Sequence, residues 1–335
     1  MGVQPAGDNP IDLMVGVVGC GRMGKLHART YAQMSGVKLV GVYDAIPRAA
    51  EAVAGEFGGK VFSSIEELAD EVSAVSIAAP TEHHLAVAEP FLKRGAACLI
   101  EKPLSRDSAE GRKIVEMGRK HGAMIAAGHI ERFNPAVVAL AKLKLTPRYL
   151  DALRVSPLPF RSLDVGVVFD IMIHDIDIVL SLVNSPVKRV EAVGASVIGG
   201  VEDICNARLV FANGCVANLT ASRLAMKTER KLRFFSEDAF VSIDYQKKSG
   251  VIARREENVP AIRGAVEKTK KGEPAASFAE LVKLTPLAVE DVDQIRAELE
   301  AFVDSIRQKK SPVVNGEQGL AAVELAEKIV RAIST

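Results

Sequence analysis

Leu13-Met-Val-Gly-Val-Val-Gly-Cys-Gly-Arg-Met-Gly24 is the stretch that decides the fold. Residues 13–18 read as a short buried strand, and residues 25–34 have helix-forming character. Between them Gly19, Gly21 and Gly24 space a G-x-G-x-x-G turn, with Arg22 and Met23 completing the loop. The first glycine of such a turn permits the bend, the second lets a pyrophosphate approach the backbone, and the third lets helix and strand pack closely. The helix start then presents N–H groups and the positive end of its dipole to phosphate. A second apolar run, 37–43, ends in Asp44, ~20 residues beyond Gly24. A carboxylate there accepts hydrogen bonds from adenosine ribose hydroxyls and repels a 2′-phosphate. NAD is therefore expected over NADP, with Arg48 just past the second strand softening the preference.

The alternation continues downstream. Short strands are expected at 60–62, 74–79 and 123–127. Ser64 with Glu67 makes a capping box, helices fit 85–93 and 107–120, and Gly122 suits a C-cap. Strands separated by helices imply parallel βαβ units, hence a doubly wound Rossmann sheet over 1–128. Within it, Cys98-Leu-Ile-Glu101-Lys102-Pro103 is an apolar strand running into a carboxylate, a lysine and a proline. Pro103 disfavours helical backbone at Lys102, which places the lysine at the carboxyl end of the strand, where open α/β sheets bind ligands. Ala79-Pro80-Thr81 and then His83-His84 follow the preceding strand. His84 is assigned here to the cofactor site, although a histidine at that position equally suits the start of a helix.

Composition narrows the partners. The 335 residues are 48% hydrophobic, and 43 Lys+Arg nearly cancel 42 Asp+Glu, with no basic block. That argues against nucleic-acid or membrane-surface partners. Cys20, Cys98, Cys205 and Cys215 lack metal-ligand spacing, so no metal is expected, and they suit reduced thiols in a cytosolic protein. No run approaches the ~20 apolar residues of a membrane span. Residues 1–10 read as a frayed polar tail without an export signal, so a cytoplasmic location is expected.

After residue 128 the texture changes. Asn134 and Pro135 start a helix to about residue 145, followed by β-like runs at 148–156, 187–198, 204–212, 215–222, 232–235 and 239–245. Asn213-Gly214 is a two-residue hairpin signal. The expectation for 129–335 is an α+β domain with an open-faced, mostly antiparallel sheet. A charged excursion is expected near 254–283 and amphipathic helices at 291–307 and 317–332, the last able to pack back on the first domain. One apolar helix, 167–180, carries Asp170, His174, Asp175 and Asp177. Asp170, His174 and Asp177 fall at i, i+4 and i+7 and share a face. Ionisable groups on a buried helix are costly unless paired or used. A satisfied core network and a catalytic dyad fit about equally well. A histidine oriented by a carboxylate can accept a proton from a hydroxyl.

Taken together, the Gly19–Gly24 loop, Asp44, Ala79-Pro80-Thr81, Glu101-Lys102-Pro103 and Asp170-x-x-x-His174 resemble the glucose–fructose oxidoreductase / inositol dehydrogenase / rhizopine catabolism (Gfo/Idh/MocA) family. The resemblance implies hydride transfer between a nicotinamide and a sugar or polyol hydroxyl carbon, a small sugar or nucleotide-sugar partner, and a homo-oligomer (dimer or tetramer) built through the second domain's sheet. It assigns Lys102, His174 and Asp170 to catalysis, with Glu101 holding the lysine or the cofactor. Gly128-His-Ile-Glu-Arg-Phe-Asn-Pro135 and the stretch from Phe160-Arg161 to Asp170 look most like a narrower branch, dehydrogenases of the 3-hydroxyl of UDP-N-acetylglucosamine. On that reading Arg132, Asn134, Arg161, Asp170 and His174 face the substrate, and Arg132, Arg154 and Arg161 can grip a pyrophosphate through forked hydrogen bonds. Two other readings remain: a free-sugar or polyol dehydrogenase, and a non-catalytic NAD-binding sensor.

Overall fold

The computed structural model describes residues 12–158, 164–274 and 276–333, and Arg161 with Phe160 therefore lies outside the described residues. The chain forms two compact units. The first runs to Gly128 and includes Ile295–Leu320; the second comprises His129–Gln294 and the chain from Ala321.

The first unit alternates strand and helix: β1 (Leu13–Val18), α1 (Arg22–Ala32), β2 (Val37–Tyr43), α2 (Pro47–Phe57), β3 (Lys60–Val61), α3 (Ile65–Glu71), β4 (Ala74–Ile77), α4 (His84–Lys93), β5 (Ala97–Glu101), α5 (Ser108–His121) and β6 (Ile125–Gly128). The strands form one six-stranded sheet in the order β3-β2-β1-β4-β5-β6. Every pairing is parallel, as in a doubly wound Rossmann sheet. The strand order reverses between β1 and β4, and this is where such sheets open a crevice for ligands. β4 and β5 are buried along their whole length, which is why they read as unbroken apolar runs. Local chemistry sets the helix ends. Ser64 accepts a hydrogen bond from the Glu67 N–H, Asp107 from the Glu110 N–H, and Gly122 takes the left-handed cap of α5. The sequence reading passed over α2, which Pro47 opens and which buries Ala50 and Val53.

The second unit contains α6 (Pro135–Lys142), β7 (Tyr149–Val155), α7 (Ile173–Val183), β8 (Val187–Ala195), β9 (Ile204–Phe211), β10 (Val216–Ser222), β11 (Glu229–Phe235), β12 (Ala239–Asp244), β13 (Ser249–Arg254), α8 (Arg255–Lys270), α9 (Phe278–Leu281) and β14 (Thr285–Pro286). Its eight strands are ordered β14-β13-β12-β11-β7-β10-β9-β8. β7 and β10 pair in parallel, and every other pair is antiparallel. The hairpin at Asn213-Gly214 forms as its sequence predicts: Gly214 has φ +85°, and Asn213 accepts from the Cys215 N–H. Burial alternates along β7, β9, β10 and β12, so one face is covered and the other open. Helices α6 and α7 pack on the sheet's covered side. The charged excursion is not a plain loop, because α8 occupies most of it with Pro260 inside the helix, and Asn258 ties it to the Arg254 and Lys283 carbonyls.

Two helices remain, α10 (Gln294–Gln308) and α11 (Gly316–Ile333), and the boundary between the units falls within α11. Leu299, Phe302 and Val303 of α10 complete the core formed by Val15, Val17, Ala28, Tyr31 and Val42. The sequence pattern marks α10 as amphipathic without saying which core its apolar face joins.

Candidate active site

The Gly loop follows β1 and opens α1. Gly19 has φ +88°, and a Cβ on it would lie 2.6 Å from the Ala78 backbone. A Cβ on Gly24 would lie 1.7 Å from the Gly19 carbonyl oxygen, so both positions admit only glycine. Gly21 differs: a Cβ there meets nothing within 4 Å. Packing within the chain therefore does not demand glycine at 21, and the open space beside it suits the close approach of a pyrophosphate. No side chain caps the start of α1 and no acidic residue occupies its first turn, so the helix end suits an anion. Asp44 ends the neighbouring strand. Its carboxylate accepts from the Cys20 N–H at 2.6 Å and the Ile46 N–H at 2.7 Å, fixing it beside the loop. Burial, reinforced by the Asp44 charge, pushes the Cys20 thiol up to about 12. These features fit a bound dinucleotide.

Lys102 stands one residue beyond the end of β5 and is half-buried, and the Lys102–Pro103 peptide is cis. Ala79, Pro80 and Thr81 line the turn after β4, with Pro80 exposed. Two expected cofactor residues make contacts within the chain. His84 is 1% exposed, with Ala79 O 3.0 Å from Nε2, and Pro103 O and Leu104 O 3.1 and 3.3 Å from Nδ1. Its ring faces backbone carbonyls of two loops, and the neutral ring, with one N–H, donates to one of them. Burial pushes its pKa below 6.5, against the pull of those carbonyls and of Glu101. Glu101 accepts from the Lys102 N–H through Oε2 at 3.3 Å, in keeping with its expected hold on the lysine, while its Oε1 is 3.2 Å from Nε2 of the wholly buried His27 of α1. With Glu298 of α10 these side chains form a buried His/Glu group whose potential ligand atoms lie within 4.8 Å of one another. The sequence reading expected no metal ligands and missed this group, because α10 lies so far along the chain.

In the second unit, the helix bearing Asp170 and His174 begins as a π-turn over Val168–Met172 before α7. Such one-turn widenings recur at functional sites. The polar stripe divides in two. Asp170 and His174 are half-buried, whereas Asp175 and Asp177 are 2% exposed. Asp177 pairs with Arg132 at 3.1 Å, so it is a structural member of the stripe. Arg154, expected to grip a pyrophosphate, is committed to a buried ion pair. It is 3% exposed and donates through Nε and Nη2 to both oxygens of Asp175 at 2.9 Å. Glu131 lies 3.4 Å away, and the Tyr245 ring stacks 4.7 Å from the guanidinium. Burial opposes its charge, but Asp175 and then Glu131 hold the guanidinium ionised. Asn134, expected at the substrate, is 1% exposed; it accepts from the Ala136 N–H as the cap of α6 and donates to the Tyr245 carbonyl. Arg223, which no pattern singled out, is buried against Asp203 at 2.9 Å and donates to the Val165 carbonyl ahead of the π-turn.

A Rossmann sheet with a glycine loop open to phosphate and a carboxylate after the second strand is the architecture of a dinucleotide-binding enzyme, and the family matches make it an NAD-binding oxidoreductase. Residues 13–129 match the oxidoreductase family model with an NAD-binding Rossmann fold, and 154–242 match the GFO/IDH/MocA C-terminal domain. The chain is 35% identical over 321 residues to the UDP-N-acetylglucosamine 3-dehydrogenase of Acidithiobacillus ferrooxidans, covering 95% of this chain and 96% of that protein. A solved structure of that dehydrogenase superposes with a TM-score of 0.86 at 32% identity, over 96% of this chain and 98% of the other. The inositol 2-dehydrogenase of Rhizobium meliloti is 28% identical over 336 residues, 95% and 96% of the two chains. The chain belongs to the Gfo/Idh/MocA oxidoreductase family, and it is a dehydrogenase acting on a CH–OH group. No helix among the described residues is long and apolar enough to cross a membrane.

Proposed function

We propose that the protein oxidises a secondary hydroxyl of a nucleotide sugar, C3 of a UDP-N-acetylhexosamine such as UDP-N-acetylglucosamine, with NAD. The observation that carries the reading is Lys102 at the carboxyl end of β5, in the sheet whose β1 loop and Asp44 suit NAD. The 35% identity to a UDP-N-acetylglucosamine 3-dehydrogenase supports the choice of sugar. When bound, NAD supplies the hydride acceptor. In this reading His174, positioned by Asp170, takes the hydroxyl proton, and the Lys102 ammonium steadies the developing alkoxide charge. Arg132 and Arg161 are assigned to the substrate and Thr81 to the cofactor. Asp44 favours NAD over NADP.

The test is NADH formation with UDP-N-acetylglucosamine. General-base help is worth ~10²- to 10⁴-fold, so His174→Ala loses about that much turnover while NAD still binds. Full turnover in that variant would remove His174 from the mechanism. A second reading, a polyol dehydrogenase, draws on the inositol 2-dehydrogenase match. Turnover of inositol but not of the nucleotide sugar would establish it.

The open sheet face carries a contiguous aromatic group, Tyr149, Phe235 and Phe240, with ring centroids 5.5 and 4.8 Å apart. It supports a homo-oligomer built through that sheet, which sedimentation checks. Four free, buried cysteines support a cytoplasmic location, which fractionation checks.

A further inference from the structure

Lys102 sits in a segment whose two flanks are each held by a buried histidine from a different helix. Ahead of the lysine, Glu101 accepts from the Lys102 N–H through Oε2 at 3.3 Å, while its Oε1 lies 3.2 Å from His27 Nε2 without hydrogen-bond geometry, and His27 belongs to α1, the helix that closes the glycine loop. Gly128 on β6 leaves room for this arrangement, since a Cβ there would lie 2.9 Å from Glu101 Cα and 3.2 Å from its carboxyl carbon. Behind the lysine, the Pro103 and Leu104 carbonyls face His84 Nδ1, and Nε2 of the same ring faces Ala79 O in the turn after β4. An ammonium on a four-carbon stem is useful only if its base is fixed, and misplacement by ~1 Å can cost ~10²-fold in rate. We propose that His27 and His84 are positioning residues for Lys102, His27 packing its ring against the Glu101 carboxylate ahead of the lysine and His84 holding the Pro103–Leu104 carbonyls behind it. The proposal rests on the reading of Lys102 given above.

The test follows NADH formation with UDP-N-acetylglucosamine together with hydrogen exchange of the 98–106 peptide, the second readout needing no substrate. His84→Ala and His27→Ala should each lower kcat by about 10- to 100-fold with KM for NAD kept within about threefold. Exchange at the Lys102 and Leu104 amides should quicken. His84→Asn, which keeps a donor, and His27→Gln, which keeps a polar side chain of similar bulk, should recover most of both effects and stay folded where the alanine variants do not. If the conservative variants lose as much as the alanine ones, these contacts are not what matters and the proposal falls. Normal kcat and normal exchange in all four variants also overturn it. Lys102→Met, measured alongside, separates the two layers. If it alone loses turnover, the clamp is wrong and the proposed function stands. If it turns over normally, the role of Lys102 fails and the clamp with it. One equivalent of metal per chain, lost in His27→Gln, would make His27 a ligand and overturn its half of the proposal.

Discussion

Asp44→Ser is the sharpest single perturbation of the cofactor site. The Asp44 carboxylate already accepts two backbone N–H bonds, at 2.6 and 2.7 Å, which leaves each oxygen a lone pair for a ribose hydroxyl. A hydrogen bond to a charged group contributes about 1.5–3 kcal/mol. Losing one such bond to the ribose raises the Kd for NAD by about 10- to 150-fold. NADP responds oppositely. A carboxylate about 5 Å from a 2′-phosphate in a watery setting repels it by roughly 1–2 kcal/mol, and the serine removes that repulsion. The NAD-to-NADP affinity ratio should therefore fall by roughly 100-fold or more. Since the chain contains no tryptophan, isothermal titration calorimetry with each nucleotide is the suitable assay, run beside a thermal melt to confirm folding. Asp44→Asn should fall between parent and serine. A serine variant that binds NAD within threefold of the parent, or keeps the parental ratio, refutes the assignment of Asp44 to the ribose.

Arg154→Met strips the only guanidinium bonded to Asp175 among the described contacts and leaves the buried Asp175 and Glu131 carboxylates without the cation they share, so about 3–5 kcal/mol of unfolding free energy is lost. Urea denaturation measures it, and a loss under about 1 kcal/mol contradicts a structural role. Burial holds His84 below its ordinary 6.5, so below that pH the unfolded chain takes up a proton that the native ring resists. Stability should fall as pH drops from 6.5, and His84→Gln should flatten that part of the profile in pH-dependent melts. The Cys20 and Cys205 thiols are pushed up to about 12 and Cys215 to about 11, in each case chiefly by burial. Ellman's reagent at pH 8 should find these three silent in the native protein and reactive after denaturation; rapid native labelling of Cys20 would show that its loop opens.

The first unit was legible because its signals are local. The glycine spacing is a short-range pattern, and the caps at Ser64 and Gly122 satisfy groups within a few residues of themselves. The antiparallel sheet was readable for a similar reason, since alternation and the Asn213-Gly214 turn are short-range features. What escaped is set by partners distant in sequence. Nothing near Arg154 announces that Asp175 will take both its nitrogens, so a buried ion pair looked like a ligand arginine. Nothing near His84 shows that the loop after β5 will bring two carbonyls to its ring. The π-turn at Val168–Met172 is likewise invisible to a 3.6-residue period, which assumes the hydrogen bonding it changes.

The placement of α10 bears on how the protein is made. Leu299, Phe302 and Val303 finish a core whose other walls are drawn from the first 126 residues. During synthesis the nascent nucleotide-binding half must wait, with an apolar seam bare, until residues 294–308 have left the ribosome, more than 160 residues after β6. A fragment ending at Gly128 lacks that closing helix and should be sticky and prone to chaperone capture, although its G-x-G-x-x-G loop is intact.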